Sequence, residues 1–115
     1  MQPERLIQRA IRQYLARRGY VSVAVPNGSV LAGGKLERIK QMAALKADGL
    51  MPGFPDLMVF STTGKIGFIE VKTDKGKLSA AQDNVRQWLT RDGFKWALCR
   101  SVEDAQAAIK EWGWI

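Results

Sequence analysis

Gly53-Phe54-Pro55-Asp56-Leu57-Met58-Val59-Phe60, followed by Phe68-Ile69-Glu70-Val71-Lys72, is the stretch on which the reading of this chain turns. It supplies two carboxylates and one lysine on neighbouring strands. Each charge sits among apolar, β-branched or aromatic neighbours, where burial is expected, and carboxylates or lysines are rarely buried without a partner. A divalent cation is the natural one. Side chains alternate across a strand, so Phe68, Glu70 and Lys72 share one face while Ile69 and Val71 share the other. Asp56 follows a proline at the start of a short apolar strand, and a hairpin through Ser61-Thr62-Thr63-Gly64-Lys65 turns that strand antiparallel beside the next. Asp56, Glu70 and Lys72 are thereby expected to converge.

Outside this core, composition narrows the chemistry. The 115 residues suit one domain with a core of its own. No run approaches the roughly 18 consecutive apolar residues of a membrane span, and the amino terminus lacks a signal-peptide pattern. A cytosolic protein is expected. The single cysteine, Cys99, lies in the apolar run Trp96-Ala97-Leu98-Cys99 and reads as a buried strand residue, which excludes disulfides and zinc clusters within one chain. There is no histidine, which excludes a histidine-metal nuclease, a Ser-His-Asp hydrolase and any imidazole base. Catalysis must then use carboxylates, lysine and metal.

The net charge of +7 favours a polyanionic partner, because basic residues gain affinity by releasing counterions condensed on phosphates. Arg5, Arg9 and Arg12 recur along the first helix opposite a stripe of Leu6, Ile7, Ala10, Ile11, Tyr14 and Leu15. They read either as a solvated face or as contacts to a nucleic-acid backbone. Lys35, Arg38, Lys40 and Lys46 precede Asp56, and Lys72, Lys75 and Lys77 follow Glu70, as expected of phosphate ligands.

The order of elements reads as α/β. Helix 1 runs from about Pro3, as a first-turn proline, to Arg18. A strand follows over Tyr20 to Val25, closed by the turn Pro26-Asn27-Gly28. Gly33-Gly34 leads into a second helix, roughly Leu36 to Ala47, whose place in space the sequence leaves open; about Asn27 to Lys35 is expected to be mobile without DNA. After the two motif strands, a helix starts at Ser79 with Ala81, Val85, Trp88 and Leu89 as its stripe and ends near Asp92-Gly93. Lys95 to Arg100 forms a last strand, and Ser101 caps a helix over about Val102 to Lys110. Trp88 and Trp96 read as core. The tail Trp112-Gly113-Trp114-Ile115 is too short for a core alone and is expected to cover the sheet or a second subunit.

The arrangement resembles the Asp…Glu-x-Lys core of the PD-(D/E)XK nuclease superfamily. With Gly-Phe-Pro-Asp, then Ile-Glu-Val-Lys, then Leu78-Ser79-Ala80-Ala81-Gln82 in that order, it is similar to the virus-type replication-repair nuclease (VRR-NUC) domain, from Glu4 to about Ile109. The resemblance implies one VRR-NUC domain over residues 1–115 with a restriction-endonuclease-like fold, a small mixed central sheet flanked by helices, and the motif strands as its central hairpin. It implies a metal-dependent endonuclease that cuts branched DNA such as Holliday junctions as a homodimer, in recombination and repair, within a bacterial or phage-infected cell.

The chemistry also follows from the residues. Hydrolysing a phosphodiester requires holding an anion, activating a water and stabilising the leaving oxygen. Mg²⁺ or Mn²⁺ on oxygen ligands answers all three, and Asp56, Glu70 and one backbone carbonyl suffice to hold it. Val71 is the expected carbonyl, because its side chain points away. Lys72 would orient the attacking water or steady the phosphate; the bland alternative is a structural cluster of ion pairs. The resemblance implies a further metal ligand, Glu4, from the first helix, against which stands a carboxylate favoured by the helix dipole. Gln82 matches a Ser-x-x-Gln capping box, while the resemblance places it beside the site as a catalytic residue. Asp74-Lys75-Gly76-Lys77 reads as a DNA-facing loop or a plain connection. The competing functions are a nuclease for flaps, single strands or ends, a restriction-type enzyme, and a DNA-binding module without catalysis.

Overall fold

Periodicity in the sequence and hydrogen bonding in the fold agree closely. The computed structural model describes residues 3–26 and 31–115. They form α1 (Glu4–Arg17), β1 (Val21–Ala24), α2 (Lys35–Ala47), β2 (Leu57–Phe60), β3 (Ile66–Val71), α3 (Ala80–Arg91), β4 (Lys95–Cys99) and α4 (Val102–Glu111). The turn expected at Asn27-Gly28 lies outside the described residues, as do residues 27–30 of the stretch expected to be mobile. No described helix is long and apolar enough to cross a membrane.

The sheet runs β1-β2-β3-β4. β1, β2 and β3 are antiparallel neighbours, with Val23 opposite Met58 and Met58 opposite Phe68. β4 joins β3 in parallel, with Phe68 opposite Trp96 and Glu70 opposite Leu98. A parallel partner requires a crossover, which α3 supplies. The motif strands are therefore central, and the described residues form a mixed α/β fold of four strands and four helices.

Strand alternation divides the core in two. On one face Leu57, Val59, Ile69, Val71 and Cys99 pack against Ile7, Ile11 and Leu15 of α1 and Ala105, Ala108 and Ile109 of α4. Full burial of each large aliphatic chain contributes roughly 1.5–3 kcal/mol. The stripe of α1 is narrower than expected: Ile7, Ile11 and Leu15 recur every four residues and take the contact, leaving Leu6 38% exposed at its margin. Pro3 stands one position outside the helix as its cap, its carbonyl accepting from the Leu6 and Ile7 amides. On the other face Val85 and Leu89 of α3 cover Phe68, with Phe54, Met58, Trp88 and Trp96 half-buried around them. Trp112 and Trp114 cover the sheet within the chain. The Trp112 ring lies where a Gly67 side chain would be, and the Tyr20 hydroxyl donates to the Trp114 carbonyl at 3.1 Å.

α2 is different. It carries no buried residue and approaches no other described helix or strand. Its Leu36 and Ile39 are exposed, as are Val21 and Val23 on the half of the sheet that α3 leaves bare.

Gly53 ties the motif to α3. Its φ is +82°, and a Cβ there would stand 2.4 Å from the Ala81 carbonyl carbon and 2.6 Å from the Gln82 nitrogen. Gly64, in the β2–β3 hairpin, has a similar φ of +83° but open space around it. Both Gly→Ala changes carry the left-handed penalty, and Gly53→Ala adds a backbone clash of about 1–3 kcal/mol. Chemical denaturation is expected to show Gly53→Ala as the less stable variant by that margin; equal losses would contradict the close approach.

Candidate active site

The site is built where two central strands end together. One step past the Leu57–Ile69 pair, the β2–β3 register sets Asp56 opposite Glu70 on the α3 face. Pro55, fully buried, fixes the backbone just before Asp56. Asp56 is then held on both sides: its carbonyl accepts from the Val25 amide at 2.8 Å, and its Oδ2 accepts from the Val71 amide at 2.8 Å.

Among the described residues Glu70 is the ionisable acidic or basic side chain that is buried, 1% exposed. Burial pushes its carboxyl up from the usual 4.5 to about 9, and a side-chain hydrogen bond with Asp56 and that group's charge push the same way. The Lys72 charge acts in the opposite sense. Burial was expected of all three motif charges, yet Asp56 and Lys72 are only half-buried. They flank the paired segment, where strands open to solvent, whereas Glu70 lies inside it.

Lys72 shares the Glu70 face, and its amide donates to the Cys99 carbonyl at 3.1 Å. That bond has a consequence for Val71. In a parallel ladder the residue between two such bonds turns its own N–H and C=O to the opposite neighbour. The Val71 carbonyl therefore faces the Asp56 side, while its side chain is buried in the α1–α4 core. Among the described residues the ion pairs are Arg86–Asp83 and Arg91–Asp92, so Lys72 is not locked to either carboxylate.

The other predicted residues divide. Glu4 opens α1 close enough that the Asp56 charge, after burial, raises its carboxyl and Lys72 lowers it. Among the described residues no three His, Cys, Asp or Glu side chains form a group able to hold a metal ion, so the assembled carboxyl pair is Asp56 and Glu70. Gln82 forms the capping box: its Oε1 accepts from the Ser79 amide at 2.9 Å and its own amide donates to Ser79 Oγ at 3.1 Å. The close approach of Gly53 also puts this first turn of α3 against the motif loop. Arg5 and Arg9 are exposed on α1, and Lys75 and Lys77 are exposed just past β3. Arg12 is tied down, Nε to Ser22 Oγ and Nη2 to Ser22 O, each at 3.2 Å. Lys35 and Arg38 ride on the detached α2.

One residue at the site had no motif to mark it. Arg100 Nη1 donates to the carbonyls of Thr73 at 2.5 Å and Gly76 at 2.7 Å. Its partners are backbone atoms 27 and 24 residues away, so neither spacing nor charge pairing in the sequence pointed to it.

A buried carboxyl and a half-buried one, facing each other beside an inward backbone carbonyl, form a donor set that fits a hard divalent cation. Without metal, the folded protein keeps a proton on Glu70 that the unfolded chain loses near pH 4.5. The folded state binds more protons between these values, so stability falls as pH rises from about 5 toward 9. Denaturation in chelator should show this fall in the native protein and a flatter profile in Glu70→Gln; identical profiles would mean that Glu70 is ionised throughout.

A profile of the VRR-NUC domain matches residues 2–103. A solved structure described as a VRR-NUC domain superposes with a TM-score of 0.67 at 17% identity, covering 95% of this chain and 96% of its own, which shows a shared fold. No curated protein matches the chain. With the family profile spanning the chain as far as the first two residues of α4, the chain belongs to the VRR-NUC domain family, whose members are nucleases.

Proposed function

We propose that this protein is a metal-dependent, structure-specific endonuclease that hydrolyses phosphodiester bonds in branched DNA, including four-way junctions, and does so as a homodimer. The observation that carries the catalytic part is the buried Glu70 carboxyl paired with Asp56, with an unlocked lysine on the same face. A purely structural cluster would be expected to join Lys72 to a carboxylate, because buried charge left unpaired is destabilising.

Asp56, Glu70 and the Val71 carbonyl would hold Mg²⁺ or Mn²⁺, and Glu4, which stands outside that assembled group at the exposed rim, would turn inward to become a further ligand. Bound there, the ion would lower the pKa of the attacking water and offset charge on the leaving oxygen. Lys72 orients that water or contacts the phosphate. Lys75 and Lys77 beyond β3, with Arg5 and Arg9 on α1, hold the DNA backbone, Arg12 contributes through the part of its guanidinium that Ser22 leaves open, and Lys35 and Arg38 reach DNA from α2. Gln82, already committed to its cap, lies near enough to the motif loop to add a polar contact.

The homodimer is supported by two apolar surfaces that no described helix or strand covers: Leu36 and Ile39 on α2, and Val21 and Val23 on the open half of the sheet. A second copy would cover both and bring a second site, as two symmetric cuts require.

The test uses labelled four-way-junction, flap, duplex and single-stranded DNAs with Mg²⁺, Mn²⁺ or EDTA. Paired cuts in the junction alone are expected, absent in EDTA. Asp56→Asn and Lys72→Ala should each lower the rate by roughly a hundredfold or more, on the order of 3 kcal/mol of barrier, with DNA binding retained. Cutting of flaps or single strands would move the substrate to end processing, and no metal-dependent cutting of any DNA would leave a binding module.

A further inference from the structure

We infer that Arg100 is a positioning residue that sets the Lys72 side chain by clamping the turn on which that side chain rests; this deepens the reading of the Asp56–Glu70–Lys72 site proposed above.

Lys72 leaves β3 with only its backbone fixed, by the Cys99 carbonyl. Its four-carbon stem then needs a wall, because no ion pair among the described residues holds its ammonium group. Gly76 is that wall. A Cβ at Gly76 would stand 3.3 Å from Lys72 Cδ and 3.4 Å from Lys72 Cβ, so the stem lies over the face of Gly76 that a side chain would occupy. The turn from Thr73 to Gly76 is closed by a single backbone bond, Gly76 N–H to the Thr73 carbonyl at 3.1 Å. Arg100 Nη1 bonds the carbonyls at both ends of it, Thr73 and Gly76.

The clamp has a firm base. The Arg100 amide donates to Asp104 Oδ2 at 2.8 Å, and the Asp104 amide donates to Ser101 Oγ, the cap of α4. α4 in turn packs into the main core. Position is thus passed from α4 through Arg100 to the turn, and from the turn to Lys72. In the sequence the turn reads as a DNA-facing loop or a plain connection, with no sign of the clamp, because its partner is a side chain on a distant strand end.

The experiment compares native protein with Arg100→Met, which keeps an apolar stem without donors, and Arg100→Lys, which keeps charge and a shorter reach. Trypsin nicking after Lys75 and Lys77 under native conditions should be at least tenfold faster in Arg100→Met and intermediate in Arg100→Lys. On cleavable DNA, kcat should fall at least tenfold in Arg100→Met with KM within threefold, and in a Lys72→Ala background the same change should lower the rate no further. Unchanged nicking, or an equal loss of kcat with Lys72 already removed, would overturn the inference. Should Arg100→Met not fold, Arg100→Lys decides by the same two readouts. Because nicking needs no DNA, native protein that cuts nothing would refute the nuclease reading while proteolysis still judges the clamp.

Discussion

The burial of the Glu70 carboxyl against Asp56 is the constraint around which this structure is organised. A carboxyl that is 1% exposed is costly to ionise, and a neighbouring carboxylate makes it costlier. Folds that seek only stability fill such a position with an apolar side chain. Here the position is in the middle of the sheet, opposite Leu98, and the surrounding elements keep it intact. Asp56 is held by backbone amides from two strands, and the Val71 carbonyl is turned toward it by the ladder with β4.

The remaining architecture can be understood as holding this corner open to a phosphate while closing everything behind it. α1 and α4 seal the opposite face with aliphatic side chains, so that Val71 contributes a core side chain on one side and a backbone oxygen on the other. α3 supplies the crossover that β4 needs and, through the close approach at Gly53, fixes the motif loop. Basic residues lie on the exposed margin, where on the proposed reading they would gain from counterion release without desolvation. Neutralising the Asp56–Glu70 pair with a divalent cation is the proposed use of the arrangement.

Most of the fold was legible in the residues, because its signals are local. Alternation in Phe68 to Lys72, the Ser79 and Ser101 caps and the stripe of α3 each depend on neighbours a few positions away, and all eight elements lie within a residue or two of their expected bounds. The pairing of Asp56 with Glu70 was legible because a five-residue hairpin sets the register. What was not legible depends on distant partners. Arg100 reaches backbone carbonyls, Arg12 is diverted to Ser22, and Gly53 meets the start of α3, and none of these contacts has a periodic signature. The half-burial of Asp56 and Lys72 was missed for a related reason: apolar neighbours in sequence predict burial only inside a strand, and both residues stand at its ends.

The most direct test of the central claim is calorimetric titration of Mn²⁺ into the protein at pH 7.5, in two buffers of different ionisation enthalpy. With Glu70 held up to about 9, ion binding must displace its proton. The account predicts saturable binding with release of close to one proton per chain, both lost in Glu70→Gln. Absence of binding, or binding without proton release that persists in Glu70→Gln, would contradict it.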